Sequence, residues 1–188
     1  MSSKNVRITQ AISKFSKKAM IFIIIMLIVS VINAQTEPDT QQDIQSIIFV
    51  PDNIYSWEEA IKPLQGKKIY VDIWATWCKP CLEEFAHNEA LKKILTENDV
   101  QQLYISLDGN SDDDKKWRDC IKQYNLTGTH IRLQGGKLGL EIQKLFFTNA
   151  KGGISISIPQ YILIDEKGNI INKHAKRPSQ LVSGEKLW

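Results

Sequence analysis

The sequence has few of the residues on which metal and haem sites depend. It contains three cysteines and three histidines in 188 residues. Zinc takes four ligands, which usually come as two closely spaced pairs. Cys78 and Cys81 are closely spaced, but Cys120 lies far downstream and no two histidines are close together. Covalent haem needs a histidine directly after the second cysteine, where Leu82 stands. We therefore expect no metal and no prosthetic cofactor.

Acidic residues are missing from residues 1–34, which hold five lysines and arginines. The whole chain has a formal net charge of +3, from 24 basic and 21 acidic residues. Without the first 34 residues, 19 basic residues face 21 acidic ones. The remainder lacks the excess of positive charge that a nucleic-acid surface needs, and we expect no nucleic-acid partner.

A long apolar run is also missing. The stretch Ala19–Ile32 is shorter than the ~20 apolar residues that a membrane-spanning helix usually needs. Basic residues precede it and the small residue Ala34 follows it, which is the order of a secretory signal. We predict a signal peptide at 1–34, with an uncleaved inner-membrane anchor as the alternative, a linker at 35–46 and a domain at 47–188. The protein should be periplasmic or otherwise exported, and should touch the membrane only if residues 1–34 are retained.

Strand-like and helix-like segments alternate after the linker. Strands are predicted at Ile47–Val50, Lys68–Trp74, Val100–Leu107, His130–Leu133, Gln160–Asp165 and Ile170–His174. Helices are predicted from Ser56 to Pro63, from Pro80 to about Thr96, from Asp112 to Tyr124 and from Lys137 to Phe146. This alternation indicates an α/β sheet with both faces covered. The last two strands form a hairpin, which adds antiparallel strands to that sheet.

A Cys-x-x-Cys pair follows the apolar strand Lys68–Trp74. Because a helix begins inside the pair, Cys78 lies at a helix N-terminus, where free backbone N–H groups and the helix dipole favour a thiolate. Lys79 adds positive charge beside it, and Pro80 is well tolerated in a first turn. Cys81 lies one turn further on, close enough to attack a mixed disulfide formed by Cys78. The spacing therefore predicts a redox pair.

The sequence resembles the thioredoxin superfamily, and looks in particular like its exported bacterial branch of TlpA/ResA-like thiol–disulfide oxidoreductases. The similarity is carried by WATWCKPC at Trp74–Cys81, by Ile158–Pro159 with the following strand Tyr161–Asp165, and by the tail Ala175–Pro178. It extends over roughly Val50–Pro178. The resemblance implies a thioredoxin-like α/β fold, a three-layer α/β/α sandwich around a central mixed sheet.

The resemblance also implies roles for five residues. Cys78 would be the attacking thiol and Cys81 the resolving one. Asp72 matches a buried carboxylate that takes the proton of the resolving thiol, and a carboxyl buried in an apolar strand should have a raised pKa. Glu84 matches an acidic residue that the branch carries just after its motif. Pro159 matches a cis proline that packs on the attacking cysteine and leaves the backbone before it free for a substrate strand.

The sequence departs from the branch at two places and adds a third thiol. Lys79 replaces a commoner glycine inside the motif, which leaves the direction of electron flow open. Ala86 replaces a helix-kinking proline, which predicts a straighter helix. Cys120 shares a helical stripe with Trp117 and Ile121, which predicts a buried, inert thiol rather than a third redox thiol.

The sequence leaves two functions open. The first is an enzyme, expected to be monomeric, that exchanges disulfides with protein substrates and with an upstream redox partner. It needs no prosthetic group because the cysteine pair is the redox centre. The second is a binding or assembly module on a thioredoxin scaffold, whose cysteines form only a structural disulfide. A redox pair cycles with mild reductant, whereas a structural disulfide resists it.

Overall fold

The computed structural model describes residues 46–50, 54, 56–110, 112–133, 136–147, 153 and 157–188. The predicted signal segment at 1–34, and all of the predicted linker except Ser46, lie outside these residues. In the described part of the chain, no helix combines the length and the apolar character needed to cross a membrane.

The described residues contain six strands and six α-helices. The strands are β1 Ile47–Phe49, β2 Lys68–Trp74, β3 Val100–Ser106, β4 Gly128–Arg132, β5 Gln160–Ile164 and β6 Ile170–Asn172. The helices are α1 Trp57–Ile61, α2 Lys79–Glu84, α3 Asn88–Glu97, α4 Asp113–Gln123, α5 Gly136–Phe146 and α6 Pro178–Val182. Every strand predicted from the sequence is present, and so is every helix except that Pro80–Thr96 is divided in two; the ends mostly differ by one or two residues.

The six strands form one mixed sheet in the order β1-β4-β3-β2-β5-β6. The pairs β1–β4, β4–β3 and β3–β2 are parallel, and β2–β5 and β5–β6 are antiparallel. The apolar strand β2 therefore lies inside the sheet, between β3 and β5. Its C-terminal end, where the chain leaves for the cysteine pair, is level with the end of β3, because Trp74 pairs with Ser106.

Side chains alternate between the two faces of the sheet, and each face carries a helical layer. One face packs against α1 and α5 through a cluster that includes Trp57, Ile61, Ile69, Val71, Ile73, Leu138 and Ile142. The opposite face packs against α2, α3, α4 and α6 through clusters that include Tyr70, Trp74, Cys81, Phe85, Leu91, Trp117, Ile121 and Leu181. The three-layer α/β/α sandwich is confirmed.

The helix predicted over Pro80–Thr96 is not continuous. A 3-10 turn at Phe85–His87 separates α2 from α3, so the expectation that Ala86 leaves this helix straighter is wrong. Tertiary contacts fix the turn, since Phe85 is buried in the core and the Asn88 amide donates to the carbonyl of Asn125 at 3.0 Å. These tertiary contacts outweigh the local helix preference of the segment. The sequence pattern indicates only that local preference, so it does not predict the break.

Candidate active site

The cysteine pair lies where the end of β2 meets the start of α2. The chain leaves the sheet at Trp74, and the Cys78 N–H closes a turn on the Ala75 carbonyl at 3.1 Å. Cys78 is the N-cap of α2, and its carbonyl accepts the first helical bonds from the N–H groups of Cys81 and Leu82 at 3.0 and 3.1 Å. The predicted position of Cys78 at a helix N-terminus is therefore present.

Cys78 and Cys81 are joined by a disulfide, with their Cα atoms 5.3 Å apart. The Cys78 Sγ also accepts the Cys81 N–H at 3.3 Å, so this N–H is shared between the carbonyl and the sulfur of Cys78. Cys78 retains 5% of its surface exposed, whereas Cys81 is completely buried. The first cysteine is therefore the one that an incoming sulfur can reach.

The residues beside Cys78 are on the surface. Lys79 has 87% of its side chain exposed and lies 3.8 Å from the Glu83 carboxylate, so its charge is partly balanced and faces water. Trp77 is 59% exposed, while Trp74 is buried with its ring 5.0 Å from that of Phe85. Trp77 thus offers an apolar surface next to the disulfide.

Asp72 is buried in the middle of β2, on the sheet face that also carries Trp74. Trp74 belongs to the cluster that contains both cysteines. Burial raises the pKa of Asp72 well above its usual range, and the nearby Glu84 charge raises it further. The raised pKa that the sequence predicts is therefore found, and its main cause is the loss of water around the carboxyl.

Three buried tyrosines lie around Asp72. Tyr104 and Tyr161 pair with Asp72 in register from β3 and β5, and Tyr70 stacks on Tyr161 with 5.6 Å between ring centres. Burial raises the pKa of all three phenols, and the Asp72 charge raises it further. The Tyr70 hydroxyl donates to the Lys176 carbonyl at 2.7 Å. Sequence reasoning missed this ring of phenols, although the i, i+2 spacing of Tyr70 and Asp72 could have indicated part of it.

Glu84 connects the cysteine-bearing helix to the C-terminal helix. Its carboxylate is buried and accepts the Ser179 N–H at 2.9 Å and the Ser179 hydroxyl at 3.0 Å. Arg177 lies 3.5 Å away and is half exposed. Glu84 thus holds the start of α6 against α2 and places a negative charge near Asp72.

The Ile158–Pro159 peptide bond is cis, as the resemblance predicts. Ile158 packs against the cluster that contains Cys78 and Cys81. The structure therefore places the proline loop against the apolar cluster to which the redox pair belongs. The direct contact of Pro159 with Cys78 stays a prediction.

Sequence reasoning also missed a polar cluster at the end of β3. Asp108 is 1% exposed, and its carboxylate binds Thr76 and Ser106 through side-chain and backbone donors. Thr76 lies only two residues before Cys78. An acidic residue directly after an apolar strand was the available signal.

His130 lies in β4, fully buried, with its ring stacked on Tyr104 at 4.7 Å. Its Nε2 lies 2.8 Å from the Leu126 carbonyl, which can only accept, so Nε2 carries the proton. Burial lowers the pKa of His130 to about 4, although the bond to Leu126 raises it somewhat. The sequence pattern around His130 does not indicate its stacking on Tyr104.

Cys120 differs from its prediction in one respect, because it is half-buried rather than part of the closed core. The stripe is only partly inside, with Trp117 and Ile121 buried and Cys120 at its edge. Burial and the Asp108 charge raise the pKa of the Cys120 thiol to about 11. Among the described residues, no group of three or more histidines, cysteines and acids could hold a metal ion.

Comparison with known proteins assigns this arrangement to a family. The Redoxin family profile matches residues 59–183. The thiol-disulfide oxidoreductase ResA of Bacillus thuringiensis subsp. konkukian is 30% identical over 125 residues, which are 66% of this chain and 64% of ResA. The thioredoxin-like protein YneN of Bacillus subtilis is 25% identical over 154 residues, which are 82% of this chain and 83% of YneN.

A solved structure shows the same fold. The solution structure of a protein from Bacteroides vulgatus, assigned as a thiol-disulfide oxidoreductase, superposes with a TM-score of 0.52 at 29% identity. The match covers 68% of this chain and 75% of that one. The chain spans 64% of the length of the ResA relative. The chain belongs to the Redoxin family and is a TlpA/ResA-like member of the thioredoxin superfamily.

Proposed function

We propose that this protein is a thiol–disulfide oxidoreductase that exchanges disulfides with protein substrates in the cell envelope. The observation that carries the proposal is the Cys78–Cys81 disulfide at the N-terminus of α2, with Cys78 as the more exposed residue of the pair. The ResA relative bears the name of this activity.

The exchange proceeds in two steps. In the reducing direction, the Cys78 thiolate attacks a substrate disulfide, forming a mixed disulfide and releasing one substrate thiolate. Cys81 then loses its proton and attacks the Cys78 sulfur, so the second substrate thiolate leaves and the Cys78–Cys81 disulfide forms. Two electrons pass from the cysteine pair to the substrate, and the reverse sequence oxidises a substrate dithiol.

Asp72 acts as the proton acceptor for Cys81. Its raised pKa makes Asp72 a stronger base than an ordinary carboxylate. The pKa of its carboxyl is thereby closer to that of a thiol, which favours proton transfer from Cys81. Glu84 supports this role through its charge and positions α2 through its bonds to Ser179. The cis Pro159 loop provides the backbone against which a substrate strand lies.

Location outside the cytoplasm is supported by the basic, apolar and small-residue order of residues 1–34, and mature protein is expected to begin near Gln35. N-terminal sequencing of protein from the membrane-free envelope fraction tests this. An intact Met1 end confined to membranes would instead support a retained anchor.

The activity is tested by equilibrating the pair with glutathione buffers and by measuring turnover of a protein disulfide. We expect reversible oxidation of two thiols, lost in both Cys78→Ser and Cys81→Ser. A disulfide that resists mild reductant in the folded protein, without turnover, would instead support the structural-disulfide module.

A further inference from the structure

We propose that Asp108 is a positioning residue for the redox pair, which it controls through Thr76; this inference rests on the proposed function. Asp108 follows β3, whereas Thr76 lies in the turn between β2 and Cys78. Two different segments therefore meet at this carboxylate, and one of them sets where Cys78 lies.

The contacts between the two residues are specific. The Asp108 Oδ2 accepts the Thr76 backbone N–H at 2.9 Å, and the Oδ1 accepts the Thr76 hydroxyl at 2.7 Å. The Ser106 hydroxyl donates to Oδ2 at 2.6 Å, and the Ser106 Oγ accepts the Asp108 N–H at 3.1 Å. The three donors to the carboxylate are the Thr76 N–H, the Thr76 hydroxyl and the Ser106 hydroxyl. Hydrogen bonds to a charged acceptor are about twice as strong as neutral ones.

The carboxylate extends the connection between the two central strands. The last backbone bond of β2 to the β3 segment runs from the Leu107 N–H to the Trp74 carbonyl at 2.9 Å. Beyond Trp74 the chain turns away from the sheet. There Asp108 holds it to the β3 segment through hydrogen bonds from two groups of Thr76, the backbone N–H and the hydroxyl. The Cys78 N–H bond to the Ala75 carbonyl spans the same turn. The position of Cys78 relative to the sheet is thus fixed from both ends of the turn.

Burial makes this attachment sensitive to substitution. Asp108, Ser106 and Thr76 are 1%, 0% and 7% exposed, so water cannot readily replace a lost partner. Removing the Thr76 hydroxyl takes away the donor to the buried Oδ1, whereas Oδ2 keeps the Thr76 N–H when the Ser106 hydroxyl is lost. A looser turn lets the Cys78 sulfur move away from the Cys81 N–H, which weakens the stabilisation of its thiolate.

The test uses matched substitutions at the three residues. Thr76→Val removes the hydroxyl bond at nearly constant shape, and Thr76→Ser retains it. Ser106→Ala removes a bond to the same carboxylate without touching the turn. Asp108→Asn removes the charge, and Thr76→Ala is a smaller alternative if Thr76→Val does not fold.

The readouts are the rate of the reduced protein with glutathione disulfide, the pH profile of Cys78 alkylation, and Tm. We expect Thr76→Val and Asp108→Asn to react on the order of tenfold more slowly, because small displacements of reacting groups are costly. The alkylation midpoint of Thr76→Val should move to higher pH. Thr76→Ser should match the unsubstituted protein, and Ser106→Ala should lose Tm but keep its rate.

Two results would overturn the positioning role: a folded Thr76→Val with an unchanged rate and pH profile, or an equal slowing by Ser106→Ala. Failure of the unsubstituted protein to react with glutathione disulfide would contradict the proposed function instead. The two failures are therefore distinguishable.

Discussion

Asp72 and Tyr161 face each other in register across β2 and β5, and each buries an oxygen that has no hydrogen-bond partner among the described residues. These atoms are the Asp72 Oδ1 and the Tyr161 hydroxyl. Buried polar atoms usually have hydrogen-bond partners. A buried carboxylate oxygen without such a partner makes the charged form of the carboxyl unfavourable. The arrangement disfavours the charged form of Asp72, in line with burial as the main cause of its raised pKa.

The first prediction concerns Asp72 in exchange. Asp72→Asn is nearly isosteric but cannot accept a proton, so turnover of a protein disulfide at neutral pH should fall about tenfold or more. The fold should persist, as checked by circular dichroism. Glu83→Gln is the control for loss of an acid, because Glu83 is an exposed carboxylate on α2, the helix that carries Cys81. Unchanged turnover in a folded Asp72→Asn would reduce Asp72 to a packing residue.

The second prediction concerns the effect of Asp72 on stability. The pKa of Asp72 is raised in the folded state, so at intermediate pH the folded protein retains a proton that the unfolded chain releases. The free energy of unfolding should therefore decrease as pH rises above about 3.9, the usual value for aspartate, and on through the folded-state pKa. Asp72→Asn lacks this dependence, and urea titrations should show it to be more stable than the unsubstituted protein at neutral and alkaline pH. A less stable Asp72→Asn at pH 8 would contradict the raised pKa.

The sequence predicts the fold well because local pattern and tertiary structure agree over most of it. Strand β2 is apolar and β-branched and is in fact buried on both faces, and the hairpin turn has Gly168 at a φ of 87°, where glycine is favoured. The pattern fails at Phe85–His87, where the break depends on contacts between distant segments. Periodicity reports which face of a helix is apolar and carries no information on such contacts.

The same distinction applies to the site. Cys78 and Cys81 are recognisable because their spacing alone determines their geometry. The hydrogen bonds between Thr76 and Asp108 join residues 32 positions apart in the chain. The two residues become neighbours only when β2 and β3 pair in this register. The redox pair can therefore be predicted from the sequence. The contact of Asp108 with Thr76 depends on the pairing of the strands and cannot.

The third prediction concerns His130. Its pKa is lowered in the folded state to about 4, against 6.5 ordinarily, so the unfolded chain binds the extra proton first as pH falls. Stability should be lost between pH 6.5 and 4, by about 3 kcal/mol in total. His130→Phe should flatten this part of the urea-derived stability profile, and the exposed His174→Gln should not. An equally steep profile in His130→Phe would show that other groups cause the acid sensitivity.

The fourth prediction concerns the order of alkylation. Cys78 lies at the N-terminus of α2, which favours its thiolate. The pKa of the Cys120 thiol is raised to about 11, against 9.0 ordinarily, so only about a hundredth of the usual thiolate is present at neutral pH. Iodoacetamide should modify Cys78 first in the reduced protein at pH 7. With the pair oxidised, Cys120 should react roughly a hundredfold more slowly than in urea. Mass spectrometry of peptides identifies the sites, and early labelling of Cys120 or Cys81 would contradict the assignment.

The last prediction concerns the order of the two steps. If Cys78 attacks and Cys81 resolves, Cys81→Ser stops the reaction at the mixed disulfide. In the intact pair Cys81 breaks that bond quickly, because a thiol one helical turn away has a very high effective concentration. Cys81→Ser should therefore accumulate covalent adducts with envelope proteins that dithiothreitol releases, seen as shifted bands on non-reducing gels.

Cys78→Ser should trap few partners, because its remaining motif thiol, Cys81, is completely buried and lies inside the helix rather than at its N-cap. Cys120→Ser is the matched control for loss of a thiol and should exchange normally, since its thiolate is scarce. Mass spectrometry of the released proteins would identify substrates by the cysteine that reacted. Equal trapping by Cys78→Ser and Cys81→Ser would overturn the roles assigned here, because both sulfurs would then attack substrates equally well. An absence of adducts with both variants would mean that the pair does not engage protein thiols, which is the behaviour of a structural disulfide.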